Sequence, residues 1–101
     1  MAGIDRIEQG NSMYDVSPPH GNAIVAANAW NGNSVTLGVA NGAIVGRIDA
    51  TSDVIVAPDD SSAEVWINSG IKAASQGNGT LTLTCATPPA AAVTANIVVL
   101  N

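Results

Sequence analysis

The sequence predicts an all-β domain, a small antiparallel β-sandwich or barrel of about seven short strands preceded by an extended N-terminal arm. Three observations carry this expectation. Short runs rich in Val, Ile and Thr recur over residues 22–101, bounded by Gly, Asn, Asp, Pro and Ser. Asn-Gly pairs stand at 31–32, 41–42 and 78–79, where a chain of short strands has to reverse. No window holds an apolar stripe at helical spacing, and at most a single turn is expected between Asn68 and Ser75.

Residues 1–21 differ from the rest. Ile4, Ile7, Met13, Tyr14 and Val16 are scattered among Asp5, Arg6, Glu8 and Asp15 with neither a two-residue nor a 3.6-residue period, and the stretch ends in Ser17-Pro18-Pro19-His20-Gly21. Consecutive prolines fix an extended path and cannot donate to a ladder, so this segment reads as an arm leading into the β domain of 22–101. A plain disordered tail is the alternative; the apolar residues favour an arm that docks, on its own domain or on a neighbour.

The strand runs fall at 22–30, 34–40, 43–49, 53–57, 63–68, 79–87 and 92–100. The segment Ser34–Asp49 reads as a hairpin around a two-residue Asn41-Gly42 turn. That register sets Val39 opposite Ile44, Leu37 opposite Gly46 and Val35 opposite Ile48 on an apolar face, with Thr36, Arg47, Ser34 and Asp49 on the other and Val45 out of place. Leu81, Leu83 and Cys85 alternate with Thr80, Thr82 and Thr84, as a half-buried strand requires. The last run alternates Val93, Ala95, Ile97 and Val99 against Thr94 and Asn96, then adds Val98 and Leu100, which predicts an end buried on both sides. Pro88-Pro89-Ala-Ala-Ala92 reads as the connector between the last two strands.

A chain of 101 residues accommodates one core. Apolar residues reach 47%, but Phe is absent and aromatics are 3%, so the core is built from small side chains that each bury little area. Further burial against copies of the chain or another protein would offset that weakness. Only 11% of residues are charged, and a net charge of −5 with Arg6, Arg47 and Lys72 as the sole bases excludes nucleic-acid binding, which requires neutralising many phosphates. Cys85 is the lone cysteine, which rules out an intrachain disulfide and a cysteine-built metal site; its alternating context makes it a small buried hydrophobe. The N-terminus lacks a secretory apolar core, and no window approaches a membrane span, so the expectation is a protein made in a cytoplasm that does not cross a membrane.

Catalytic chemistry is poorly supplied. The single histidine, His20, sits beside Pro18-Pro19 and reads as a loop residue, so no Ser-His or Cys-His pair is expected, nor any zinc site. Asp49, Asp53, Asp59, Asp60 and Glu64 concentrate acid around Ser and Thr, in a style hard cations accept, yet without the spacing of a regular calcium loop; solvated turn carboxylates are the favoured reading. A glycosidase pair would need an aromatic cleft, and the chain offers only Tyr14, Trp30 and Trp66. Each tryptophan is either a core plug, which is favoured, or an exposed ring able to stack on a sugar or anchor a partner; alternation places Trp66 opposite Val65 and Ile67. Asn78-Gly79-Thr80 is read as a turn rather than a glycosylation site. No enzyme activity, cofactor or metal is expected.

In layout, an arm from Ile4 to Gly21 followed by a β domain poor in charge and rich in Gly, Asn, Ala, Val and Thr, the chain resembles small capsid decoration (cement) proteins of tailed phages. The resemblance implies a structural virion protein, made in the host cytoplasm, that binds the major capsid protein or another virion protein as a homo-oligomer, a trimer favoured. It implies an arm that inserts beside a neighbouring subunit, with Ile4, Ile7, Tyr14 and Val16 as its anchors. Two other classes stay open: a carbohydrate-binding or adhesion module using Trp30 or Trp66, including phage collar or tail-fibre attachment, and a small barrel enzyme or calcium binder using residues 49–64.

Overall fold

The computed structural model describes residues 18–100. They form six strands in two three-stranded antiparallel sheets. Strands β1 (His20–Val25), β6 (Val93–Leu100) and β3 (Asp53–Pro58) make sheet 1 in the order β1-β6-β3; β2 (Ser34–Leu37), β5 (Thr80–Thr84) and β4 (Lys72–Gly77) make sheet 2 in the order β2-β5-β4. One helix, α1 (Ala63–Ser69), joins β3 to β4. The fold is all-β and sandwich-like, with six strands rather than seven.

The core lies between the sheets. Ala23 and Val25 of β1, with Val93, Ala95, Ile97 and Val99 of β6, join Val35, Leu37, Leu81 and Leu83 of sheet 2 and Cys85 just beyond β5 in one buried cluster. Both alternations read from the sequence appear: β6 buries every odd-numbered residue from Val93 to Val99, and β5 turns Leu81 and Leu83 inward from half-buried Thr80, Thr82 and Thr84. The end of β6 is not buried on both sides, because Val98 is half-buried and Leu100 is exposed on the outer face.

Two of the three Asn-Gly pairs make tight reversals. Asn78-Gly79 links β4 to β5, with Gly77 opposite Thr80 and Gly79 at a φ of 72° that favours glycine. Asn31 pairs with Ser34 across Gly32-Asn33, with Gly32 at 65°. The third pair is not a hairpin turn. β2 ends at Leu37 and pairs with β5, while Ala43–Arg47 is a 3-10 turn that buries Ile44 and Val45, with Ile48 buried just beyond. A strand cannot turn Ile44 and Val45 to one side, whereas a helical turn places positions 44, 45 and 48 together; Val45, the misfit of the hairpin register, marks this. Val39, expected to face Ile44, is 65% exposed.

The loop before that turn lies along the outer edge of β1. Ile24 N–H donates to the Asn41 carbonyl (3.0 Å), and Asn41 Nδ2 donates to the Ile24 carbonyl (3.1 Å). Gly42 has an extended backbone with φ of 177°, so positive φ is not what glycine supplies here. A Cβ at position 42 would run into the Asn22 carbonyl and the Ala23 Cα.

The run 63–68 is helix rather than strand. Asp59 Oδ1 accepts from Ser62 N–H (3.1 Å) at a 3-10 turn over Asp60–Ser62 that leads into α1. Gly70 ends the helix in the left-handed conformation, with Gly70 N–H bonding the Ile67 carbonyl and Ile71 N–H the Trp66 carbonyl. Ser62, Trp66 and Ser69 are buried at helical spacing, and Ile67 is 74% exposed. The stretch expected as a single turn at 68–75 contains most of β4. Strand β1 begins at His20, two residues before the expected start of the domain.

The two glycines respond differently to a methyl group. Gly42→Ala is expected to cost about 3 kcal/mol because backbone must move. Gly79→Ala, strained by φ but facing open space, should cost about 1 kcal/mol. Urea melts of both variants check this; equal losses would count against the close seating of Gly42 on β1.

Candidate interaction surface

The two outer faces of the sandwich differ in chemistry. On sheet 2 the register aligns Ser34, Thr84 and Lys72, then Thr36, Thr82 and Ser75, giving a hydroxyl-rich face on which Thr36 Oγ1 lies 3.1 Å from Thr82 Oγ1. On sheet 1 it aligns His20, Val98 and Ile55, with Leu100 next along β6 and Ile24 at the far end of β1. Ile24 is 57%, Ile55 54% and Leu100 40% exposed, and Asp53 is the only carboxylate on the strands of that face. Val98 and Ile55 are adjacent in one cross-strand row with Leu100 beside them, and apolar area gains about 25 cal/mol per Å² when covered, so this is the face a partner would cover.

A cleft of about 400 Å³ opens at the start of β1, lined by Pro19, His20, Asn22, Ala43, Ile44 and Arg47. His20 Nδ1 lies 3.1 Å from the Pro18 carbonyl, and Ile44 packs over Gly21. The Pro19 carbonyl accepts from Val99 N–H (2.9 Å), so the chain joins sheet 1 alongside the apolar end of β6.

The expected arm anchors Ile4, Ile7, Tyr14 and Val16 lie outside the described residues. Trp66 is in the core at 8% exposure, because the helix turns it inward; it is not a stacking platform. Trp30 is half-buried and packs against the same core, its Nε1 buried without a hydrogen-bond partner among the described residues. Cys85 is buried, and burial pushes its thiol pKa up.

Two carboxylates of the acidic segment, Asp49 and Asp59, are occupied with neighbouring backbone and hydroxyl groups. Asp49 Oδ1 accepts from Thr51 N–H (2.9 Å), the Thr51 hydroxyl (2.9 Å) and the Ser52 hydroxyl (3.1 Å). Asp59 Oδ1 takes the Ser61 hydroxyl (2.8 Å) and Ser62 N–H. Among the described residues no three His, Cys, Asp or Glu side chains gather to hold a metal ion, and no helix is long and apolar enough to cross a membrane. Gln76 Nε2 bonds the carbonyls of Asp49 and Ser52, tying the loop to β4. Gln76 did not stand out in the sequence, and Asn41 did so only as half of an expected hairpin turn, since an amide bonding distant backbone leaves no local pattern.

No protein-family model matches the chain, no curated protein matches it, and no solved structure matches it.

The bonds from Thr51, backbone first, and from Ser52 hold the Asp49 carboxyl below its ordinary value of 3.8. A depressed carboxylate contributes stability that is present above the unfolded-state value and lost as pH falls through the folded-state value. Asp49→Ala should therefore lower the urea midpoint at neutral pH and converge on wild type in acid below that range. Cys85 should react with a thiol reagent at the rate set by unfolding; labelling as fast in buffer as in urea would contradict its burial.

Proposed function

We propose that the protein is a non-enzymatic structural component of a virus particle, a capsid decoration protein that seats on a phage head shell and stabilises it. The observation that carries this reading is the outer face of sheet 1, where Ile55, Val98 and Leu100 lie beside the point at which the N-terminal segment enters and Ile24 lies on the same face at the far end of β1. A face of this kind suits a partner that covers it permanently. The partner is the major capsid protein or another virion protein, and the location is the virion. Ile4, Ile7, Tyr14 and Val16 anchor the arm on the shell, while the hydroxyl face of sheet 2 stays in water. Sites that are individually weak become effective when repeated over a lattice and joined by self-association.

The low charge fits the same role, since shell binding through apolar area does not require steering by opposite charges. A sugar-binding module is less well supported, because it relies on aromatic platforms and Trp66 lies in the core.

Mass spectrometry of purified particles should find the chain in many copies per shell; particles that lack it would sink the proposal. Stripped shells should take the protein back saturably. Ile24→Glu and Leu100→Glu should each weaken that binding about tenfold or more without lowering the melting temperature.

A further inference from the structure

We infer that the free edge of β3 is a self-pairing surface, through which two copies of the chain join sheet 1 to sheet 1 about a two-fold axis. The other edges are closed or broken. The β1 edge is covered by the Asn41 loop. β2 is four residues long, and β4 carries Lys72 and a register shift between Ala73 and Ser75. Among the described residues β3 pairs with β6 alone, along its six residues, and its central Val54-Ile55-Val56-Ala57 holds no charge. Its charge, Asp53, and its proline, Pro58, stand at the two ends, and an edge strand with an uncharged centre is a template for another strand.

The hydrogen-bond phase can be read directly. Asp59 N–H, in register with β3, bonds the Thr94 carbonyl of β6 (3.1 Å), so the N–H groups of Asp53, Ile55 and Ala57 also face β6. Those of Val54 and Val56 face outward, and the third outward position is Pro58, which has no N–H. A second β3, antiparallel across a two-fold axis normal to the sheet, satisfies all of these groups when Val54 of one copy lies opposite Val56 of the other. Each copy then donates two hydrogen bonds and accepts two. Ile55 meets Ile55 of the second copy on the axis, and Asp53 lies opposite Ala57 of the second copy, so no carboxylates face each other.

Packing supports the same occupant. On the inner face, Val99 and Ile97 of β6 are fully buried, while their β3 partners Val54 and Val56 are only half-buried. A strand beyond β3 would complete their burial, and a second copy supplies valines at those same positions. The paired sheet would carry one apolar row on its outer face, Val98 and Ile55 followed by Ile55 and Val98 of the second copy. This inference is independent of the virion reading, since it concerns the protein in solution, and it replaces the trimer implied by the resemblance with a two-fold.

Light scattering of the full chain over a concentration series, without particles, tests it. The expected result is a dimer mass. Ile55→Lys sets two ammonium groups opposite each other and should weaken the dimer by at least about a hundredfold, lowering the melt only at concentrations where the wild-type chain is dimeric, because Ile55 is exposed in the single chain. Ala57→Lys, facing Asp53 of the second copy, should tighten the dimer, and Ala57→Glu should weaken it; Ile24→Lys, on the same face but off the axis, should do neither. A monomer at every concentration overturns the inference, as does a trimer or a dimer indifferent to the charge at positions 55 and 57.

Discussion

Sheet 1 depends on β6 holding a partner on each flank. β1 and β3 do not touch through hydrogen bonds; each is a strand only because β6 lies between them, with His20 and Ile55 both opposite Val98. The register is enforced by composition. Val93, Ala95, Ile97 and Val99 are all at most 1% exposed, and a slip of one residue would turn Thr94 and Asn96 into the core in their place. The hydrogen bond from Thr94 N–H to Ser62 Oγ (2.8 Å) adds a fixed point where β6 passes the turn that starts α1.

From that central strand the distribution of chemistry over the surface follows. The inner residues of sheet 1 are small, and the three leucines at 37, 81 and 83 come from sheet 2, so the cluster is filled without phenylalanine. Sheet 2 shows hydroxyls outward and sheet 1 shows isoleucine, valine and leucine. Short polar side chains, Asn41 and Gln76 above all, bond loop backbone to strand ends and perform the work that charged pairs perform elsewhere.

The all-β class was legible because alternation in β5 and β6 is strict and those two strands are the centres of their sheets. Asn78-Gly79 was legible as a hairpin turn for the same local reason. The Asn41-Gly42 hairpin was not what forms: the pair has the composition of a turn, but Ile44, Val45 and Ile48 gain more by covering β1 from a 3-10 turn than by lining a ribbon in which Val45 points outward. Helix α1 was hidden because the buried residues at its two ends, Ser62 at the cap and Ser69, are polar, leaving Trp66 and half-buried Val65 as the apolar marks of its inward side. The Asp59 cap and Gly70 stop were the signals available. Of the candidate contacts, the arm lies outside the described residues, and the apolar outer face was only half visible, since Val98 and Leu100 read as buried, whereas among the described residues nothing packs over the outer face of sheet 1.

The pairing of β1 with β6 also sets how the chain reaches this structure. Val25 meets Val93 and His20 meets Val98, so the first strand has to wait for the last before sheet 1 has a centre, and only the β4–β5 hairpin can close locally. Contacts so distant along the chain must overcome loop-closure entropy before they are rewarded, which places such topologies in the millisecond-to-second range of about 10⁰–10³ s⁻¹. Until β6 arrives, β1 and β3 are unpaired apolar segments, and the yield of folded protein is governed by how quickly one late strand finds two early ones.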